Sequence, residues 1–143
     1  MSSLAERRIE TVRDHMALEC VQDWDAVIAT FEHPRYELYG SGAVFDGEEA
    51  VRKYFELSRT AFPDQGNEII SIAHAGDTVH VEFWLTGTHL GPFPFRGQKI
   101  EPTGKTFRVR MAATFEFAKD SDKIICERPY YDQNAVARAL GLM

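Results

Sequence analysis

The stretch Phe83-Trp84-Leu85-Thr86-Gly87-Thr88-His89, followed by the loop Leu90-Gly91-Pro92-Phe93 and the return Pro102-Thr103-Gly104-Lys105, decides how the chain is read. Alternation begins just upstream. Val79, Val81, Phe83, Leu85, Gly87 and His89 fall on one face; Thr78, His80, Glu82, Trp84, Thr86 and Thr88 fall on the other. A period of two over this length is a half-buried strand whose apolar row faces a core and ends on a histidine. Asn67 to His74 forms a hairpin with it across Ala75-Gly76-Asp77. Beyond the loop from Leu90 to Gly104, the row Phe107, Val109, Met111, Ala113, Phe115, Phe117 opposes Thr106, Arg108, Arg110, Ala112, Thr114, Glu116, so a further strand presents one apolar face. The acidic turn 119–122 leads into a last strand, Ile124 to Tyr131. Pro129 there fits an edge or a bulge, which leaves the facing of Arg128 and Tyr130 open.

Ahead of the sheet the period is helical. Ser3-Leu4-Ala5-Glu6 is a capping box, and Ile9, Val12, Met16 and Cys20 predict a helix over 4–20 with its other face charged and solvated. Asp23 caps a short helix through Trp24, Val27, Ile28 and Phe31, which His33-Pro34 ends. A brief strand over 35–39 follows. Asp46 with Glu49 then opens a third helix in which Val51, Tyr54, Phe55, Ser58 and Phe62 share a face, as core or as the floor of a ligand cavity. After the last strand, Asp132 begins a short helix, 133–140, that Gly141 closes. Three helices followed by an antiparallel sheet make an α+β protein, expected as a single domain over 1–143.

Composition excludes several classes of function. The 143 residues carry a net charge of -6, with basic residues scattered among more numerous acids, which argues against a nucleic-acid partner or a polyanionic substrate. No apolar run reaches membrane-spanning length and the N-terminus lacks a signal-peptide core, so the protein reads as cytoplasmic and without a membrane partner. Cys20 and Cys126 read as isolated thiols. Gly104-Lys105-Thr106 imitates the end of a phosphate-binding loop, but Lys99 stands where the first glycine belongs, and a strand follows. Ser41 between glycines lacks the spacing of a nucleophile elbow. The five histidines show no His-x-x-x-His or His-Glu pairing of a metalloenzyme, so no metal is expected.

The Gly-Thr-His turn at 87–89, the Pro-Thr-Gly-Lys return at 102–105 and the late Asp132 after Tyr130-Tyr131, in that order, resemble the SnoaL-like polyketide cyclases of the nuclear transport factor 2-like superfamily. The likeness extends from about Trp24 to Gly141. It implies a strongly curved antiparallel sheet wrapped over the N-terminal helices, a cone-shaped α+β barrel with an internal cavity. It also implies a cofactor-free general acid/base enzyme acting on a small apolar carbonyl compound, as in an intramolecular aldol cyclisation. Asp132 aligns with the family's acid/base carboxylate, although an Asp in front of Gln133-Asn134-Ala135 is equally a good N-cap. His89 is the second catalytic candidate, because an imidazole at the end of a core-facing row can pass a proton or steady an oxyanion; the alternative is a satisfied structural histidine. The implied cavity is expected to draw on His33, Tyr36, Phe45 and Phe55 from the N-terminal half. Phe83, Met111, Arg128 and Tyr130 would come from the sheet. Arg128 departs from the aromatic residue common in the family, so it either binds a carbonyl or carboxylate or pairs with a nearby acid. A non-catalytic binder of apolar ligands is the alternative function, and isomerases, dehydratases and epoxide hydrolases share the fold. An interaction domain working through the outer face of the sheet is a further reading. The resemblance also implies a homodimer through that face, with Trp84 near its centre.

Overall fold

The computed structural model describes residues 2–143. Helix α1 (Leu4–Cys20) opens on the expected capping box, in which the Ser3 hydroxyl accepts from the Glu6 amide and the Glu6 carboxylate accepts from Ser3. Helix α2 (Trp24–Ala29) is capped by Asp23, and α3 spans Glu48–Ala61. The sheet strands are β1 (Arg35–Glu37), β2 (Val44–Asp46), β3 (Gly66–Ala75), β4 (Thr78–Thr88), β7 (Thr106–Phe117) and β8 (Ile124–Tyr130); β5 (Phe93–Phe95) and β6 (Gln98–Ile100) form a separate hairpin, and α4 (Gln133–Ala139) ends the chain. The six-stranded sheet is curved, has the order β2-β1-β8-β7-β4-β3, and is not closed. All its junctions are antiparallel except β1 with β8, which is parallel, so the sheet is mixed rather than wholly antiparallel.

The two long strands keep the predicted facing. Val79, Val81, Phe83, Leu85, Phe107, Val109, Met111, Ala113, Phe115 and Phe117 are all buried, and their rows meet α1, α3 and α4 in one core. Three local expectations are corrected. The inward face of α1 is Arg8, Val12, His15 and Met16, while Cys20 is exposed. Arg8 is buried because its guanidinium spans two turns, donating to the carbonyls of Ser121, Gly76 and Ala118 and to Asp77. Asp46 does not cap α3; Gly47 stands at the N-cap, and Asp46 lies in β2 with its carboxylate on His33 and Arg35. The stretch 40–47 contains β2 and the expected loop 90–104 contains the β5–β6 hairpin, segments of three residues too short for periodicity to show.

The bulge in the last strand is the finding with most consequence. Phe117 pairs with Ile124 but Glu116 pairs with Cys126, so Ile125 is an extra residue in β8. Alternation restarts after it, which turns Glu127 and Pro129 towards the inner face opposite Phe115 and Ala113, and Arg128 outward opposite Thr114. The bulge therefore lies at Ile125, four residues before the proline that suggested one.

At the end of β4 the chain crosses the C-terminus of α3, where the Leu90 and Gly91 amides both donate to the Ala61 carbonyl. A Cβ on Gly91 would overlap the Thr60 backbone carbonyl, and backbone cannot swing aside as a side-chain tip can. Gly91→Ala should therefore cost about 3 kcal/mol of stability, read as a lowered urea midpoint at unchanged slope. A midpoint equal to wild type would show that the crossing is not tight.

Candidate active site

Between the sheet and the helices lies a small cavity that opens to solvent. Its apolar wall is Met16, Phe83, Leu85, Met111, Ala113 and Phe115, and its polar groups are Glu19, Tyr36, Tyr54, Arg59, Gln65, Asn67 and Glu127. Pro129, Tyr130 and Tyr131 complete it. A second recess, behind Leu57, Phe62 and Phe93, shares Tyr54, Gln65, Leu85 and Tyr131 with it.

The polar groups converge on His15. Its Nε2 lies 2.7 Å from Glu19 Oε1 and 2.8 Å from Glu127 Oε1, with Tyr36 Oη at 3.2 Å. Glu19 sits one turn after His15 on α1, Tyr36 comes from β1 and Glu127 from β8. The other ring nitrogen, Nδ1, is 2.9 Å from Thr30 Oγ1. Because the Thr30 hydroxyl proton is already given to the Val27 carbonyl at 2.6 Å, Thr30 can only accept, so Nδ1 carries a proton. Nε2 is thereby the atom that exchanges protons with the carboxylates.

Electrostatics follow from burial. His15 is fully buried, which opposes a charged ring, but Glu19 and Glu127 outweigh that effect and hold its pKa up at about 10. Burial raises the Glu127 carboxyl above its ordinary range and the Glu19 charge raises it further, against the pull of the bond to His15. The Tyr36 and Tyr54 phenols are pushed up by burial and by the same two carboxylates, so both stay protonated donors. His15 Nε2 and one oxygen from each glutamate lie within 4.8 Å of one another, a donor set able to hold a cation. The contacts near 2.8 Å are nevertheless those of shared protons; a cation at about 2.1 Å from each donor would spread them to about 3 Å or more.

The structure distributes the sequence candidates as follows. Tyr36, Phe83, Met111 and Tyr130 line the cavity, Tyr130 at its mouth, stacked on Tyr39 with centroids 4.4 Å apart. Phe55 is buried one layer behind, stacked on Trp24, and Phe45 packs on Tyr54. His33 is exposed and paired with Asp46. Arg128 lies on the outer face, between Glu37 and Glu116. Asp132 is the N-cap of α4, accepting from the amides of Asn134 and Ala135, with its side chain 58% exposed. It borders a separate recess with Leu38, Tyr39, Ser41 and Tyr131 rather than the cavity above. His89 is fully buried between Phe62 and Phe93, where Nδ1 accepts from the Thr103 amide and also contacts the Thr103 hydroxyl. His89 and Asp132 thus line neither the cavity nor each other's surroundings.

Glu127, His15, Glu19, Arg59 and Asn67 were not singled out from the sequence, whereas Tyr54 lies on the α3 face read there as core or cavity floor. The spacing of His15 and Glu19, four apart on one helix, is the signal that was there to be read. Glu127 had none, because the bulge sets its facing.

Residues 12–126 match the SnoaL-like domain, and the chain belongs to that family. Among solved structures it is similar to a protein assigned as a SnoaL-like polyketide cyclase from Jannaschia sp. CCS1, at TM-score 0.82 and 23% identity over 100% of this chain and 97% of that one. It is also similar to IdmH from Streptomyces antibioticus, assigned as a polyketide cyclase, at TM-score 0.77 and 20% identity over 94% and 98%. The epoxide hydrolase/cyclase-like enzyme SalBIII, of pyran ring formation in polyether salinomycin, matches at 0.72 and 21% over 91% and 94%. At these identities the likeness establishes the fold. No curated protein matches the chain significantly. No helix among the described residues is long and apolar enough to cross a membrane.

The raised His15 pKa gives a sign to stability. The folded state holds the proton more tightly than the unfolded one, so the contribution is complete below pH 6.5 and is lost as pH rises towards about 10. The raised Glu127 acts in the same direction from lower pH. The wild-type melting temperature should fall across that window, and His15→Gln should flatten the fall while lowering stability by about 3 kcal/mol or more. An unchanged slope in the variant would remove His15 as its source.

Proposed function

We propose that the chain is a cofactor-free acid/base enzyme acting on a carbonyl compound held in the cavity, with Glu127 as the base. The observation that supports this most directly is a carboxylate in the wall of a mostly apolar cavity, bonded to a histidine that Thr30 and Glu19 hold in place. Burial makes that carboxylate a stronger base than an exposed one, in a wall from which a substrate displaces water. Glu127 takes a proton from the carbon next to the substrate carbonyl, breaking the C–H bond and leaving an enolate. Protonated Tyr54 donates to the enolate oxygen, and Tyr36 and the His15 ring stabilise the charge beside Glu127. The enolate carbon forms a C–C bond to a second carbonyl of the same molecule, and the resulting alkoxide recovers the proton from Glu127. The cavity wall supplies the folded geometry that makes this step intramolecular. Relatives assigned as polyketide cyclases support the ring-closing outcome; SalBIII represents epoxide chemistry on the same scaffold.

Glu127→Gln should lower turnover by about a hundredfold to ten-thousandfold, measured by NMR as exchange of α-protons of a bound ketone for deuterium. Asp132→Asn, which keeps a capping side chain, should leave that rate within about twofold of wild type. The opposite pattern would move the base to Asp132, the position the family resemblance favoured. Full exchange in both variants would favour a cavity that only binds.

A homodimer through the outer sheet face is carried forward on Trp84 rather than on charge pairing. The Arg108 and Arg110 guanidiniums flank the Trp84 ring, at 4.1 and 5.0 Å from its centroid, and Arg108 and Arg128 already pair within the chain with Glu68 and Glu116. Sedimentation should show a dimer for the wild type at micromolar concentration and a monomer for Trp84→Glu. A wild-type monomer, or a dimer that survives the substitution, would sink this placement.

A further inference from the structure

The cavity contains a cation that the acid/base reading does not use. Arg59 lines it from the last turn of α3, with a side chain only 10% exposed. Its guanidinium packs over the Trp24 ring at 5.0 Å, and Trp24 is itself stacked on Phe55, so the group is held in a fixed plane. Few of its five N–H donors are spent. Nη1 donates to Ser58 Oγ at 2.8 Å and Nη2 donates to the Glu19 carbonyl at 3.3 Å. The nearest carboxylate oxygen, Glu19 Oε2, is 3.8 Å away, beyond hydrogen-bond reach, and Nε is buried with no partner among the described residues.

A buried guanidinium normally forms a two-pronged pair with a carboxylate. Glu19 cannot supply one here, because its Oε1 is committed to His15. Glu19 is thus shared between the His15 ring and the guanidinium, and Arg59 has no carboxylate of its own within hydrogen-bond reach. Both Arg59 and Glu127 border the same space, so one small molecule can meet the guanidinium at one end and the base at the other.

We infer that Arg59 is the receptor for a carboxylate on the substrate, so that the natural ligand is a carbonyl compound bearing one carboxylate. This rests on the cavity being the substrate site but not on Glu127 being the base. Gln65 lines the same cavity and offers a neutral amide.

The test is calorimetric binding of 2-naphthoate and of its methyl ester, which share shape and differ in charge. Wild type should bind the acid about tenfold more tightly than the ester, the yield of one charge-assisted pair. Arg59→Met should bring the acid down to the ester's affinity and leave the ester unchanged. Arg59→Lys, which keeps the charge on a similar stem, should retain part of the preference and covers the case in which the Met variant does not fold. Equal affinities in wild type, no measurable binding of the acid, or a full preference surviving in Arg59→Met would each overturn the inference. Glu127→Gln should keep or enlarge the acid preference. If that variant loses the preference, the carboxylate receptor is refuted; if it keeps α-proton exchange, only the assignment of the base is.

Discussion

The contact of His15 Nε2 with the carboxylates of Glu19 and Glu127 is the constraint around which the inner face of the protein is arranged. Two glutamates do not stay in an apolar interior unless a proton or a cation lies between them, and the ring supplies it. Because one partner comes from α1 and the other from β8, the cluster ties the first helix to the middle of the sheet. Breaking a buried pair of this kind costs about 3–5 kcal/mol, since the surviving charge keeps its desolvation penalty. Stability is therefore tied to the protonation of this cluster.

Residues outside the cavity wall help to hold that geometry. Arg8 spends its donors on carbonyls of the β3–β4 and β7–β8 turns and on Asp77, so the N-terminal half of α1 is fixed to the sheet at two places, and His15 lies two turns further along the same helix. His89 receives the Thr103 amide and packs among phenylalanines, closing the loop that carries β5 and β6. Asp132 caps α4, whose Val136, Ala137 and Leu140 are buried against the sheet. A short motif shared across a family records such fastening positions as readily as it records reacting groups, because both require a particular side chain at a particular turn.

Legibility differed by the range of the interaction involved. The α+β class, α1 with its capping box, the β3–β4 hairpin and the inner rows of β4 and β7 could all be read, because each depends on neighbours within a few residues. Tyr36, Phe83 and Met111 were recognised as cavity residues on the same basis, as apolar or aromatic groups on elements whose facing was clear or implied by the family. β1 was read from its start but overextended, as 35–39; the three-residue strands β2, β5 and β6 carry too little pattern to be found, and their pairing is decided by what lies beside them in space.

What only the tertiary structure decided is the polar content of the cavity. Strict alternation from Ile124 would carry Cys126, Arg128 and Tyr130 inward; the extra Ile125 reverses this and brings Glu127 in while sending Arg128 to Glu37 and Glu116. A bulge of one residue is fixed by the register with β7, more than a turn of chain away in sequence, and leaves no mark of its own in composition. The burial of His15 is of the same kind. On a helix with charges on most sides, the face that turns inward depends on the partners available, and Glu127 is available only because of the bulge. The sequence by itself determined the elements and the apolar faces that drive them together; which acid, base and cation meet inside was settled by long-range register, because a buried charge can stay only where its partners are delivered.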